Sequence, residues 1–471
     1  MVFVGRDAEL SVLDEALRNA LAGSGGFALI SGEPGIGKTR LCDEFSRRAK
    51  TQGAVVTWGR SWEGEGTPAF WPWLQALRPL KLERLLDADT HGDAEQARFR
   101  LFDAVGAALR EAAEDAPLVV ILDDLHAADV STLLLLGFVA RGLRGARILL
   151  AGTARESSSE LLAKSTRDAM QVPLARLPRD ALAAWMSAVA PQLTDKVDAV
   201  LATSEGNPLF IEELLATARK RPDSAIGSGH PLPVGIRGAI RAHLGTLSER
   251  AQWLLESAAV LGRELGRSTL LSLGAPDPRE HALVDEAIAA AVLLDVGEGR
   301  LRFAHVLLRD ELYSNIPPAR RAELHRAVAR RLVAEHAEAA AAHHYVLGAR
   351  AEDSPEVAAH VTSAVREAIG ALAFEDAAQL GERALAALDG HLEARDAAGL
   401  WLAVGEARVL AGQTARGRQA CHKALALGDA LNDFEIVARA ALCATSEATF
   451  GRDDEGIAFL RQTVAKAPAT D

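Results

Sequence analysis

Eight residues near the amino terminus constrain the fold of this chain more than any other feature. Residues 32–39 have the sequence GEPGIGKT; they follow an apolar, strand-like run at 27–31 and precede a helical pattern. Glycines at this spacing let the backbone turn tightly, so that successive N–H groups can surround a phosphate at the amino terminus of a helix. A chance glycine-rich turn is the alternative, but the order strand, loop, helix favours a phosphate-binding loop.

Two side chains at the end of this loop carry the chemistry expected of it. Lys38 is placed to reach the β and γ phosphates of a nucleotide, and Thr39 is placed to bring its hydroxyl to Mg²⁺. The helix that begins near Gly37 adds the positive end of its dipole to the anion site. The loop therefore predicts a nucleoside triphosphate site with a magnesium ion.

A second motif places two carboxylates at the end of an apolar strand. Residues 118–122 have the sequence LVVIL, and Asp123 and Asp124 follow them directly. In phosphoryl-transfer enzymes such a strand supplies a carboxylate for Mg²⁺, which we assign to Asp123. Asp124 is then the candidate that orients or polarises the attacking water. Without the phosphate loop, the same pair could be a solvated strand end or a helix cap.

Two side chains near these carboxylates are weaker candidates. Arg155 follows the strand-like residues 147–151 closely enough to sense a γ-phosphate, although on local evidence an ordinary surface arginine is an equally good interpretation. His126 lies beside the carboxylates in the sequence. Phosphoryl transfer depends on positioning and charge neutralisation more than on a base, so we assign His126 to packing or to a helix start.

The length and composition indicate a multidomain protein that folds in water. At roughly 150 residues per domain, the 471 residues correspond to about three domains. The formal net charge of −12 disfavours binding to phosphate backbones. Three cysteines without metal-ligand spacing predict a reducing compartment and no disulfide framework. Because no apolar run is long enough for a membrane span, we expect a cytoplasmic protein.

Residues 1–175 have the pattern of an α/β domain. Short β-rich runs alternate with helical patterns, which predicts a parallel sheet covered by helices on both faces. Together with the phosphate loop, this pattern predicts a P-loop NTPase domain. The strand-like runs lie at residues 27–31, 54–58, 118–122, 147–151 and 170–174.

The remainder of the chain is mainly helical and divides into three regions. Residues 176–233 are predicted to form a helical lid, with helices at 179–190, 194–203 and 209–219, that ends in a linker rich in Pro, Gly and Ser at 222–233. Residues 234–318 combine helices with a hairpin-like stretch at 293–303, which is typical of a winged-helix domain. Residues 319–471 are rich in Ala, Leu, Glu and Arg with helical periodicity.

The last region contains an internal repeat with a step of 40 residues. Residues 382–385 (ERAL) align with residues 422–425 (HKAL) and, more weakly, with residues 462–465 (QTVA). Turn-like segments keep the same step, near Phe374, Thr414 and Asp454. This pattern predicts helix pairs of the tetratricopeptide kind. A bundle of Ala-rich helices without true repeats is the alternative, because such helices align easily.

These motifs resemble those of the STAND class of signal-transduction ATPases, in particular the ATPase core of large ATP-binding regulators of the LuxR group, such as maltose-type regulators. The resemblance covers nearly the whole chain. Residues 123–129 (DDLHAAD) resemble the extended acidic signature of this class, in which Trp usually stands at the position of Ala127. We expect that departure to alter packing rather than catalysis.

The resemblance implies a set of nucleotide contacts in the first domain, with ATP rather than GTP as the nucleotide. Val4, Gly5 and Arg6 resemble the amino-terminal motif that lies beside the adenine in this class. The phosphate contacts are then assigned to Gly32, Glu33, Pro34, Gly35, Ile36, Gly37, Lys38, Thr39 and Arg40.

The resemblance also implies three contacts from other parts of the chain. Arg155 matches the sensor arginine of the class, and Pro208 in the sequence Gly-Asn-Pro matches an element that touches adenine. Locally, Asn-Pro is simply a turn. His305 matches a histidine that can contact the β-phosphate of ADP, whereas on sequence evidence alone it is better interpreted as a half-buried histidine.

The function implied by the resemblance is a regulatory switch. ADP would hold the lid and the winged-helix domain closed, ATP would favour an open, self-associating form, and slow hydrolysis would reset it. An inducer or protein partner would bind the repeats. Related regulators act on transcription through a carboxyl-terminal helix-turn-helix, which this sequence lacks, so we expect no direct DNA binding. A nucleotide-stabilised scaffold, or the regulatory part of a longer regulator or nucleotide cyclase, remain alternatives.

Overall fold

The computed structural model describes residues 3–61, 68–86, 94–156, 159–220, 235–273 and 279–445, together with residues 460, 461, 463 and 465. Its amino-terminal part contains the strands β1 (Gly26–Ser31), β2 (Val55–Arg60), β3 (Leu118–Asp123), β4 (Ile148–Ala154) and β5 (Met170–Pro173). They form one sheet in the order β2-β3-β4-β1-β5, and each strand is parallel to its neighbours. The predicted parallel sheet and its five strands are confirmed, with strand ends shifted by a few residues.

Helices cover both faces of this sheet. They are α1 (Asp7–Leu21), α2 (Lys38–Thr51), α3 (Trp71–Leu77), α4 (Ala94–Asp115), α5 (Val130–Arg141) and α6 (Glu160–Ser165). Every residue of β3 is buried, because its alternate side chains enter two different cores. Val119 and Ile121 pack with residues of α1 and α2, whereas Val120 and Leu122 pack with residues of α3, α4 and α5.

A helical part follows the sheet, as the sequence predicts. It contains α7 (Arg179–Val189), α8 (Val197–Ser204), α9 (Pro208–Lys220) and α10 (Gly235–Leu244). Leu182, Met186, Val200 and Ile211 form the centre of its small apolar core. The helix predicted at 194–203 begins as a 3-10 turn, Pro191–Lys196, and becomes α-helical only at Val197. The linker predicted at 222–233 lies outside the described residues.

The third part, which we call the β-ribbon unit, combines helices with a small antiparallel sheet. Its elements are α11 (Glu249–Leu261), β6 (Glu264–Gly266), α12 (Arg267–Ser272), α13 (Arg279–Ala289), β7 (Leu293–Gly297), β8 (Arg300–Phe303) and α14 (Val306–Asn315). The sheet order is β6-β8-β7. The predicted hairpin is therefore confirmed, and β6 is a strand that the sequence analysis did not anticipate. The winged-helix assignment stays a prediction.

The carboxyl-terminal part consists of paired helices. They are α15 (Pro318–Ala334), α16 (Glu338–Leu347), α17 (Ser354–Gly370), α18 (Phe374–Ala387), α19 (Ala394–Leu410), α20 (Thr414–Leu431) and α21 (Phe434–Ala444). Helices α17, α19 and α21 begin at residues 354, 394 and 434, and α18 and α20 begin at residues 374 and 414. The 40-residue step is thus a step between helix pairs. The match at 462–465 and the turn near Asp454 lie wholly or mostly outside the described residues.

One expectation about cysteine is wrong. Cys421 on α20 and Cys443 on α21 form a disulfide, whereas Cys42 is buried and free. The sequence showed only a separation of 22 residues, and the pairing depends on the register in which α20 packs against α21. In the described parts of the chain, no helix has both the length and the apolar character needed to cross a membrane.

Candidate nucleotide-binding site

The phosphate loop lies between the end of β1 and the start of α2. Gly35 has φ +77° and Gly37 has φ +102°, values that side-chain-bearing residues rarely adopt. A Cβ atom at Gly35 would lie 2.8 Å from the Cβ atom of Leu209, so a side chain there would also collide with α9. The sequence GEPGIGKT therefore folds as predicted, into a tight turn whose last glycine leads directly into a helix.

Lys38 is held across this loop. Its Nζ atom donates hydrogen bonds to the carbonyl oxygens of Gly32 and Glu33, both at 2.9 Å, and its side chain is buried. A lysine fixed in this way is a compact cation beside the loop N–H groups. This is the arrangement that binds the β and γ phosphates of a nucleotide.

Thr39 and Asp123 meet beside the loop, as the two motifs together predict. The Thr39 hydroxyl Oγ1 lies 3.1 and 3.0 Å from Asp123 Oδ1 and Oδ2. Asp123 is fully buried and also accepts a 2.6 Å hydrogen bond from the hydroxyl of Thr153, on the neighbouring strand β4. That hydroxyl in turn accepts a 2.8 Å hydrogen bond from the backbone N–H of Asp124. Sequence reasoning missed Thr153, whose only signal was a polar residue near the end of an apolar strand.

The oxygen atoms of Thr39 and Asp123 fit a magnesium ion. Mg²⁺ prefers oxygen ligands and is usually held by one or two carboxylates, with water and substrate phosphates completing its coordination. Among the described residues there is no cluster of three or more His, Cys, Asp or Glu side chains suited to a metal. When bound, the ion would neutralise charge on the β and γ phosphates.

Asp124 adopts an unusual backbone conformation, with φ +59°, one residue beyond β3. Its side chain forms an ion pair with Arg263, which lies between α11 and β6 of the β-ribbon unit. The Arg60 Nε atom lies 3.7 Å from Asp123 Oδ2, and Arg60 also pairs with Glu264 at 2.9 Å. Sequence reasoning missed Arg60, Arg263 and Glu264 because no local motif marks them.

Arg155 and His126 lie at the same edge of the sheet as the two carboxylates. Arg155 directly follows β4 and is half-buried, and His126 lies in the short 3-10 helix Leu125–Ala127 that follows Asp124. Because β3 and β4 are parallel, their carboxyl ends are adjacent. The sensor role of Arg155 stays a prediction.

The amino-terminal motif also contacts the phosphate loop. The Arg6 guanidinium donates 3.1 Å hydrogen bonds to the carbonyl of Ile36 and to Glu9. Gly5 packs so tightly on α7 that an added Cβ atom would lie 2.6 Å from that of Ala181. Further contacts of this motif come from Val4, which borders the core around α7, and from Phe3, whose ring lies 6.0 Å from the Arg40 guanidinium.

The helical part contacts the phosphate loop through the amino terminus of α9. Pro208 is the first residue of that helix. The side-chain amide of Asn207 donates a 3.1 Å hydrogen bond to the carbonyl of Pro34, and the N–H of Leu209 donates to the carbonyl of Gly35 at 3.2 Å. The structure thus brings the predicted Pro208 element to the loop, and it shows contacts made by Asn207 and Leu209 that the sequence did not reveal.

His305 connects the β-ribbon unit to the helical part. It precedes α14, and its Nε2 atom lies 3.2 Å from Oε2 of Glu212 on α9. About a third of the His305 side chain is exposed. The predicted contact of His305 with a nucleotide phosphate is untested.

Comparison with known proteins agrees with this geometry. Residues 2–151 match the family model of the AAA ATPase domain. An uncharacterized protein of Rhizobium meliloti (strain 1021) is 28% identical over 380 residues, which cover 69% of this chain. The chain spans only 36% of the length of that relative.

A solved structure extends the likeness to the fold of the whole chain. It is a Signal Transduction ATPase with Numerous Domains (STAND) protein with a tetratricopeptide repeat sensor, from Pyrococcus horikoshii. The TM-score is 0.52 at 13% sequence identity, and the match covers 99% of this chain and 70% of the other. Residues 2–151 are thus similar to an AAA ATPase domain, and the fold of the chain is similar to that of a STAND protein.

Proposed function

We propose that this chain is an ATP-binding signal-transduction regulator whose nucleotide state sets the contact between its ATPase domain and its helical parts. The observation that carries the proposal is the contact of α9 with the phosphate loop: Asn207 and Leu209 bond to the carbonyls of Pro34 and Gly35. The loop that would hold the phosphates is thus also a surface on which the helical part rests. A change in the bound nucleotide can therefore bias a contact between domains.

A second contact supports a closed form. His305 of the β-ribbon unit pairs with Glu212 of α9. The β-ribbon unit, the helical part and the phosphate loop are thus linked in series through α9. In the proposed mechanism ADP favours this closed arrangement and ATP favours its opening.

A third contact joins the helical repeats to the ATPase domain. Asp376 of α18 accepts hydrogen bonds from the backbone N–H groups of Val130 and Ser131 at 3.1 Å and from the Ser131 hydroxyl at 2.7 Å. Arg98 of α4 pairs with Glu375 at 3.0 Å. A ligand or partner that binds the repeats could therefore act on the ATPase domain through α18. This contact supports a sensor role for the repeats.

The finer parts of the proposal rest on the resemblance to large LuxR-group regulators. They are the choice of ATP, slow hydrolysis as the reset, self-association in the ATP state, and a role in transcription. The winged-helix and tetratricopeptide assignments of the third part and of the paired helices belong to the same proposal.

The test is to identify the nucleotide carried by the purified protein. We expect denaturation to release about one ADP per chain and chromatography to identify it, because the loop and Lys38 form an anion site. Lys38→Ala should carry none, since the neutral side chain removes the cation that faces the phosphates. A wild-type protein that neither carries nor binds adenine nucleotide would refute the proposal.

A further inference from the structure

Arg263 is placed on the candidate catalytic carboxylate by the backbone of its own unit. Helix α11 ends at Leu261, Gly262 has φ +126°, and β6 begins at Glu264. Gly262 permits the turn that directs Arg263 away from the β-ribbon unit and toward β3. The Arg263 Nη1 atom then donates to Oδ2 of Asp124, with only 16% and 12% of the two side chains exposed.

A second ion pair lies beside the first, and in it the ATPase domain supplies the cation and the β-ribbon unit supplies the anion. Arg60, at the end of β2, donates to Oε1 of Glu264 at 2.9 Å. Arg60 and Asp123 are register partners in the parallel sheet, so Arg60 and Asp124 lie at adjacent strand ends. The sequence Arg263-Glu264 therefore presents a cation and an anion to an anion and a cation of the ATPase domain. Such a pattern fixes one docking position, because a shifted position would bring like charges together.

This contact competes with the role expected of Asp124. In hydrolysis, the oxygen of a water would bond to the γ-phosphorus while the bond to the bridging oxygen breaks, which releases ADP and inorganic phosphate. The water proton would pass to Asp124 and then to solvent. A carboxylate that accepts a charge-assisted hydrogen bond from arginine has fewer lone pairs left to orient water.

We propose that Arg263 is a positioning residue that restrains ATP hydrolysis by holding the Asp124 carboxylate away from the attacking water. Departure of the β-ribbon unit would free the carboxylate. The restraint acts on the protein's own carboxylate rather than on the nucleotide. This inference rests on the proposed ATPase function.

The test is steady-state ATP hydrolysis by Arg263→Met, in which a side chain of similar length replaces the guanidinium. We expect kcat to rise about tenfold while KM changes less than twofold, because the variant alters the carboxylate and leaves the phosphate loop intact. The matched control is Arg267→Met. Arg267 belongs to the same unit and pairs with Asp285 at 2.7 Å, within that unit, so its kcat should equal that of wild type.

A more conservative variant and a double variant strengthen the test. Arg263→Lys keeps the charge but loses the planar fork, so its kcat should lie between those of wild type and Arg263→Met. The double variant Arg263→Met/Asp124→Asn should be as inactive as Asp124→Asn. Circular dichroism would confirm that the variants fold.

Two results would overturn the inference while leaving the proposed function in place. In the first, Arg263→Met binds ATP and its kcat equals that of wild type. In the second, kcat falls, which would show that Arg263 stabilises the transferred phosphoryl group. A wild-type protein that does not bind ATP would instead refute the proposed function, and the inference with it.

Discussion

At the scale of single residues, the site is organised around Asp123. Its buried carboxylate is bonded to the hydroxyls of Thr39 and Thr153, and the hydroxyl of Thr153 also holds the backbone N–H of Asp124. Thr153 thus positions the carboxylate of Asp123 and the backbone of Asp124. A side chain with two buried hydrogen bonds is costly to replace, because its partners stay buried.

Thr153→Val tests this role. The variant removes the hydroxyl that bonds Asp123 and Asp124, so we expect the free energy of unfolding to fall by about 1–3 kcal/mol and kcat for ATP to fall with it. Urea unfolding and steady-state kinetics measure both effects.

Thr57→Val is the matched control. Thr57 is equally buried, in β2, and its hydroxyl has no hydrogen-bond partner among the described residues. Its replacement should leave stability unchanged or increase it. An equal loss of stability in both variants would contradict the assigned role of Thr153.

The sequence predicted those site residues that are consecutive in it. Lys38 and Thr39 belong to one loop and Asp123 and Asp124 follow one strand, so a local motif reveals each pair. Thr153, Arg60 and Arg263 reach the carboxylates from other strands and another unit. Their identities depend on sheet order and on docking, which no local pattern encodes.

At the scale of elements, α9 is the part most directly coupled to the phosphate loop. Asn207 makes two kinds of hydrogen bond there. Its Oδ1 atom accepts hydrogen bonds from the N–H groups of Leu209 and Phe210, and its Nδ2 atom donates to Pro34. One residue thus caps the helix and attaches it to the loop.

Asn207→Ala should therefore have two effects. Loss of the cap should lower the free energy of unfolding by about 1 kcal/mol, and loss of the bond to Pro34 should weaken nucleotide binding severalfold. Calorimetric titration with ADP measures the second effect.

Ser248→Ala separates the two effects. Ser248 caps α11 through the N–H of Ala251 and has no part in the phosphate loop. The control should lose stability but bind ADP as wild type does. If Asn207→Ala also binds ADP as wild type does, α9 is not coupled to nucleotide binding through Asn207.

Elements with a clear apolar pattern were predicted well, whereas elements without one were missed or misplaced. The five strands of the parallel sheet were predicted because each is an apolar run between turn signals. Strand β6 has three residues, too few for a periodic pattern, and it exists because it pairs with β8. The helix predicted at 194–203 becomes α-helical only at Val197, because Pro191 starts a 3-10 turn that runs to Lys196.

At the scale of the whole molecule, the repeats dock on the ATPase domain through Asp376, close to the carboxyl group of Asp129, and both side chains are half-buried. Asp129 caps α5 by accepting from the N–H of Thr132. Asp376 of α18 accepts from the first two N–H groups of the same helix, those of Val130 and Ser131. Burial, together with the nearby charge of Asp376, raises the pKa of Asp129 to about 7. Burial likewise raises the pKa of Asp376.

These pKa values predict that docking weakens as the pH rises. A carboxyl group whose pKa is raised in the docked state binds a proton more tightly there than when separated. The resulting stabilisation is complete below the ordinary aspartate pKa of about 4 and is lost as the pH rises to about 7. The urea midpoint of wild type should therefore fall between about pH 4 and pH 7 relative to that of Asp376→Asn, which has one carboxyl group fewer.

Asp180→Asn is the control for the pH series. Asp180 is an exposed aspartate on α7, and its replacement should leave the pH dependence of wild type unchanged. A constant difference between wild type and Asp376→Asn across this range would show that the two carboxyl groups are not linked to docking.

The arrangement of the parts could not be derived from the sequence. The 40-residue step predicted helix pairs, and α17 to α21 keep that step. Phe374 contacts the ATPase core, and the Arg98 guanidinium lies 5.3 Å from its ring. Arg98 and Phe374 are 276 positions apart in the sequence, and periodicity does not encode such a contact. Periodicity describes one unit at a time, whereas docking depends on the complementary surfaces of two.

If the bound nucleotide controls docking, hydrogen exchange at the start of α5 should depend on which nucleotide is bound. The backbone N–H groups of Val130 and Ser131 donate to Asp376, so they report on the contact itself. With ADP bound we predict slow exchange at these amides, and with a non-hydrolysable ATP analogue we predict faster exchange. In Lys38→Ala, the two nucleotides should make no difference. Equal exchange at Val130 and Ser131 in wild type with ADP and with the ATP analogue, both shown to be bound, would contradict the account.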